Sequence, residues 1–258
     1  MLLEERLEFI DSLEPMPIAR TRSAFQTQQF PTQNPPHDTN KSTASIMPDT
    51  MDAFLPGVPK NIIHDVNICK LVMQNDATKK FPKDEQLFEW YKHYVDGLTK
   101  LGWVIQNRDL RDVTIRKTGL TMDQVALEIA TGLIGPSAAI VLANVAQKAV
   151  AAVQNNPGAI QLFERNKTLG AQAKFDIAPV WIDTSGQPNM ILNCISLDAR
   201  ESTRGILFWK STKQSTTIKS GAVRTYLDNK VFSRLSETLY DKYTEARKNL
   251  IIDLPDFE

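Results

Sequence analysis

Apolar residues recur at helical spacing through residues 60–168 and at strand spacing after residue 170. In 60–75, Ile62, Ile63, Val66, Cys69, Leu71, Val72 and Met73 make a dense face at three-to-four spacing, which predicts a helix. In 84–105, Asp84 is placed to cap a helix whose stripe is Leu87, Trp90, Tyr91, Tyr94, Leu98 and Leu101, with Gly102 as its stop. Residues 111–117 alternate and predict a short strand. Thr121 and Gln124 have the spacing of a capping box and open a helix with Val125, Ile129 and Leu133 inward. Gly132, Gly135 and Pro136 break it, and Pro136 starts a second, nearly all-aliphatic helix to about Val153. A shorter one follows over 159–168.

Past Gly170, 174–183 and 189–198 read as two strands joined by the turn residues 184–188. Pro179 favours an edge or a bulge, because it cannot donate to a ladder. Residues 205–211 and 215–220 read as further strands, and 228–250 as a closing amphipathic helix. The expectation is an α+β fold: a helical N-terminal half packed on a C-terminal antiparallel sheet, closed by a C-terminal helix.

Residues 1–13 carry Leu3, Leu7, Ile10 and Leu13 on one helical face and predict a short docking helix. Eight of the fourteen prolines fall in 15–59, and 21–50 is rich in Gln, Thr, Asn and Ser. So polar a stretch offsets little of its ordering entropy by burial. Residues 14–55 therefore read as an extended or disordered arm, either a plain tail or a segment that wraps its own domain or a partner. The chain divides into 1–55, helix plus arm, and 56–258, one α+β domain. The acidic start lacks the basic, apolar pattern of a signal peptide. The expectation is cytoplasmic synthesis, with any export by a non-classical route.

Composition narrows the function classes. Thirty basic and thirty acidic residues cancel, which argues against a dedicated nucleic-acid binder. The balance is uneven along the chain: 199–248 leans basic and 1–60 acidic. A basic half is able to attract anionic headgroups; the acidic arm could equally fold across it. Two cysteines exclude a disulfide scaffold and a four-cysteine zinc site, and three scattered histidines fit a metal site poorly. No metal is expected. No recognisable catalytic motif appears, so whether the chain is an enzyme stays open.

Two features invite a ligand. The run Ile129–Gln147 is uncharged, yet Gly132, Gly135 and Pro136 split it into pieces too short for a bilayer span of about 20 residues. It reads as a buried hairpin or as a hairpin that lines a lipid site. Cys194 lies on a strand whose two faces are both mostly apolar. It is an inert core thiol or, facing an apolar cavity, the carrier of an acyl thioester. Each buried methylene of such a chain gains about 0.8 kcal/mol. The candidate lipid-binding set is Cys194 and Leu192 from the strand with Ile129, Leu133, Ile140 and Val141 from the hairpin. Cys69 reads as core. His64 and His93 could act only if folding brought one beside a serine or Cys194.

The helical half, the α+β body and the single cysteine in the strand MILNCISL resemble the bacterial virulence-factor family typified by the Erwinia virulence factor. The resemblance implies an α/β fold, palmitate joined to Cys194 as a thioester, and membrane association in an insect host. The combined expectation is a lipid- or membrane-interacting, toxin-like virulence protein whose only cofactor is a covalently bound fatty acid. Its partners would be membrane lipid or fatty acid. The other reading is a non-enzymatic interaction module that uses the N-terminal arm for a protein partner or self-association.

Overall fold

A computed structural model describes residues 1–16, 36–83, 86–115, 119, 121, 124–125, 136–164, 172–198 and 216–257. The described strands make one seven-stranded sheet in the order β3-β6-β5-β4-β2-β1-β7. Its strands are β1 (Thr43–Met47), β2 (Thr50–Phe54), β3 (Trp103–Ile115), β4 (Gln172–Ile182), β5 (Pro188–Asp198), β6 (Thr216–Leu227) and β7 (Ile252–Asp253). The helices are α1 (Leu3–Ser12), α2 (Lys60–Lys80), α3 (Leu87–Lys100), α4 (Pro136–Gln154), α5 (Pro157–Phe163), α6 (Asn229–Phe232) and α7 (Ser236–Leu250). The α+β class holds, with helices early, much of the sheet in the C-terminal half and a helix near the end.

Three details depart from the expected layout. First, the sheet is mixed: β2 runs parallel to β4, while the other neighbouring strands pair antiparallel. Second, residues 43–54 of the expected arm are a fully buried hairpin inside the sheet. Composition misled here because a central strand buries its backbone as well as its side chains, so Thr43, Ser45, Thr50 and Asp52 are enclosed despite their polarity. Asp49 turns the hairpin with φ 62°. The turn is fixed on both sides, its N–H donating to Phe163 O at 3.0 Å and its carbonyl accepting from Asp176 N at 2.9 Å. Third, the helix read over 84–105 ends at Lys100. Gly102 adopts φ +99°, a conformation open to glycine, and turns the chain directly into β3. The expected helix over 121–134 and strand over 205–211 lie outside the described residues, apart from 121 and 124–125, as do Asp84 and most of the segment between α1 and β1.

The sheet is covered on both faces. Strand alternation puts Ser45, Thr50, Asp52, Asp176, Val180, Leu192 and Cys194 on one face. Helix α2 packs there, and its Asn67, Lys70 and Gln74 bond to Ser45, Asp52 and Thr50. Helix α3 packs against α2, β3 and β6, and α7 against α2. The opposite face carries Ala44, Ile46, Met51, Ala53 and Ile177, all buried. Helix α4 reaches β1, β2 and β4, and α5 reaches β1. Val145, Ala149 and Val153 form the buried stripe of α4 at four-residue spacing.

The N-terminal helix docks as expected, against the end of α3 and the middle of α7. Arg6 donates to Thr99 O and Lys100 O at 2.8 and 2.6 Å, placing a cation at the C-terminus of α3. Lys242 of α7 does the same for α1, donating to Ile10 O and Asp11 O at 2.7 and 2.6 Å. Ile10 and Leu13 are buried beneath. The chain end is tied down by His37, whose two ring nitrogens meet Asp256 Oδ1 at 2.7 Å and Val58 O at 2.9 Å.

Candidate functional site

The inner stripe of α2 is apolar at Val66, Met73 and Ala77, yet its fourth member is Lys70, completely enclosed. Burying an ammonium is unfavourable unless it is paired. The sheet face below supplies two carboxylates. Asp52 of β2 accepts from Lys70 Nζ, and Asp176 Oδ2 of β4 lies 2.8 Å from it. Both aspartates are buried as deeply as the lysine.

A proline in β4 helps to place Asp176. The β4–β5 ladder pairs Asp176 with Cys194 and resumes at Val180 with Met190, leaving the intervening residues unpaired around Pro179. Pro179 has no N–H for a ladder. It sits in a central strand, not at an edge, and beside the interruption lies the Asn193 N–H. Asp176 Oδ1 accepts that N–H at 2.9 Å. One carboxylate thus closes the gap in the ladder and holds the lysine.

Burial raises the Asp52 carboxyl to about 7, and the charge of Asp176 adds to this while Lys70 opposes it. Burial acts to lower Lys70, but the two aspartates outweigh it and leave the lysine raised. The site therefore brings the Lys70 ammonium into contact with two enclosed carboxyl groups, and burial favours the neutral form of Asp52. Around them, Gln74 donates to Thr50, and Asn67 reaches Ser45, which donates to Asp253 at 2.7 Å.

Cys194 lies beside Asp176 in register and is buried and free. Burial drives its thiol well above the ordinary range, and Asp176 pushes further in that direction. A resting thiolate is therefore disfavoured. Tyr94 of α3 is also enclosed in this layer, and its hydroxyl has no hydrogen-bond partner. Burial raises it strongly, with contributions from Asp176 and Cys194. The Cys194 thiol and the unpartnered Tyr94 hydroxyl are thus both buried and both under the influence of the Asp176 charge.

The structure separates the expected lipid-binding set. Leu192 and Cys194 share the face toward α2 and α3, whereas α4, which carries Ile140 and Val141, packs over the other face. Ile129 and Leu133 lie outside the described residues. Lys70, Asp52, Asp176 and Tyr94 were missed by motif search. Their signal is charge at inward positions: a lysine in the apolar stripe of a helix, and aspartates at inward positions of TMDAF and KFDIA.

The histidines are engaged elsewhere. His93 Nε2 meets Asp76 Oδ2 at 2.6 Å, linking α3 to α2. His64 lies among Arg247, Asp253 and Lys60, and burial, followed by Arg247, lowers it to about 4. A base whose folded pKa is depressed contributes stability that is present above its unfolded pKa of 6.5 and lost as pH falls through about 4. His64→Gln is expected to remove that acid sensitivity. Urea unfolding at pH 7 and pH 4.5 should show wild type losing more stability than the variant; equal losses would contradict the placement.

Among the described residues, no helix is long and apolar enough to cross a membrane, and no group of three metal-ligating side chains occurs.

No protein-family profile matches the chain, and no curated protein does. Among solved structures, that of the Evf virulence factor aligns with a TM-score of 0.39 and 13% identity over 76% of this chain and 84% of that one. A delta-endotoxin aligns with a TM-score of 0.34 and 10% identity over 68% and 79% of the two chains. The likeness to the virulence-factor family is thus a distant structural one, without matching sequence. At these scores nothing about fold or activity passes from either protein to this chain.

Proposed function

We propose that this chain is a toxin-like, lipid-interacting protein that carries a fatty acyl chain as a thioester on Cys194. The observation that supports the reading is the company of the thiol. Cys194 is a buried free thiol on the sheet face that carries Leu192, and the enclosed, unpartnered Tyr94 hydroxyl is close enough to be influenced by its charge and would donate to a thioester carbonyl. An acyl chain there runs between α2, α3 and the sheet, along Leu192, and not beneath α4. Because the thiol is 1% exposed, acylation precedes closure of the helical layer over β5. The acyl donor is an activated thioester: the Cys194 sulfur bonds to its carbonyl carbon, the donor's C–S bond breaks, and the Cys194 proton leaves with the donor thiol.

Docking of α1 against α3 and α7 weighs against the alternative, in which the N-terminal segment is held free for a partner.

Intact mass spectrometry before and after neutral hydroxylamine tests the proposal. The expected result is a mass excess of one fatty acyl group that hydroxylamine removes and that Cys194→Ser lacks. A Cys194 that is fully alkylated on denaturation, with no labile excess, would sink it.

A further inference from the structure

We infer that Lys70 and Asp52 are a self-acting cross-linking pair, joined in the mature protein by an isopeptide bond between Lys70 Nζ and Asp52 Cγ, with Asp176 moving the protons. The inference rests on a different pair of residues from the proposed thioester and stands without it.

Four requirements of amide formation between side chains coincide here. The amine must touch the carboxyl group, and Lys70 Nζ is in direct contact with Asp52 Oδ1. Fixing two reactants in such a geometry is worth an effective concentration of about 10⁵–10⁸ M. The electrophile must be a neutral acid, since a carboxylate repels the attacking lone pair; burial raises the Asp52 carboxyl to about 7, toward that form. A second base must take the ammonium proton, and Asp176 Oδ2 stands 2.8 Å from the same nitrogen. Water must be kept out, so that the released molecule does not reverse the bond. All three side chains are within 1% of complete burial.

The step balances without an outside reagent. The Lys70 ammonium gives one proton to the Asp176 carboxylate, leaving a neutral amine. Its nitrogen attacks Asp52 Cγ, forming the C–N bond and a tetrahedral centre. The nitrogen sheds a second proton as Asp176 returns one to a departing hydroxyl. The C–O bond breaks and one water leaves. The products are a neutral amide and Asp176 as the neutral acid. A buried ion pair is thereby exchanged for uncharged groups, which suits a low-dielectric interior. The bond spans 18 positions and fastens β2 to α2 at the centre of the helix–sheet layer.

Hydroxylamine-treated, denatured full-length chain is measured by intact mass and by tryptic mapping, for wild type and Asp176→Asn. Wild type is expected to be lighter than its sequence by one water, uncleaved after Lys70, and to yield one linked peptide pair containing Lys70 and Asp52. Asp176→Asn, shown to be folded by circular dichroism, is expected at full mass and cleaved after Lys70. Wild type at full mass with normal cleavage overturns the bond, as does a water loss mapped elsewhere. A linked Asp176→Asn overturns the role given to Asp176. A variant that fails to fold leaves the wild-type measurement decisive. Loss of the acyl proposal appears separately, as absence of a hydroxylamine-labile mass excess.

Discussion

Lys70→Met is expected to lower the free energy of unfolding by about 3–5 kcal/mol, the usual cost of removing one partner from a buried charge pair. Methionine fills much of the lysine's volume, so the loss is electrostatic and not a cavity. Asp52 and Asp176 remain enclosed with no cation between them. The desolvation of the charge left on the pair then stands uncompensated, Asp52 is driven further toward its neutral form, and any cross-link through Lys70 is lost as well. Adding Asp52→Asn and Asp176→Asn to Lys70→Met removes the stranded charge and should recover part of the loss. Denaturant titrations at pH 7.5 of the three proteins check both statements. A loss below about 1 kcal/mol for Lys70→Met would place the lysine in a solvated, weakly coupled site of the kind found on surfaces, against the enclosure described here.

Ile10→Ala is expected to cost about 2–5 kcal/mol, the range for truncating a fully buried aliphatic side chain. Ile10 is wholly buried although it lies near the chain start, at the point where α1 meets α7. The cation contacts that Arg6 and Lys242 make to helix ends are partly exposed and are worth typically 0.3–1 kcal/mol each, roughly. They orient α1, and the apolar contact of Ile10 and Leu13 supplies most of its docking energy. Leu2, 69% exposed in the same segment, serves as the internal comparison. Leu2→Ala should change stability by no more than about 0.5 kcal/mol. Similar small effects of both substitutions, or fast amide exchange through 3–12 in wild type, would show that α1 does not hold this position.

The sequence carries its elements unevenly. The helical stripes of α2, α3, α4 and α7 were readable because each buries one face and keeps the 3.6-residue period. The β4 and β5 runs were readable from their alternation and from the turn between them. The β1–β2 hairpin was not. Its polar residues Ser45, Thr50 and Asp52 face inward because α2 brings polar partners to meet them, and no local pattern announces partners that lie 18 to 24 positions away. The same reason hid the site. Cys194 stood out as a residue type, whereas Lys70, Asp52 and Asp176 become a constellation only when β2 is laid parallel to β4 beneath α2. The separation of Cys194 from α4 is also topological. Sequence order suggested that the aliphatic helix ending near Val153 should cover the strand of Cys194, but strand alternation turns the thiol toward α2 and α3.

The central claim is that the layer around Lys70 and Cys194 is chemically altered in the mature protein. One measurement addresses it most directly: the intact mass of the purified chain, denatured, before and after neutral hydroxylamine. The expected mass lies above the sequence value by one acyl group less one water. After hydroxylamine the expected mass is one water below the sequence value. A chain that matches its sequence mass under both conditions would contradict it, and the layer would then be an unmodified buried ion pair beside an inert thiol.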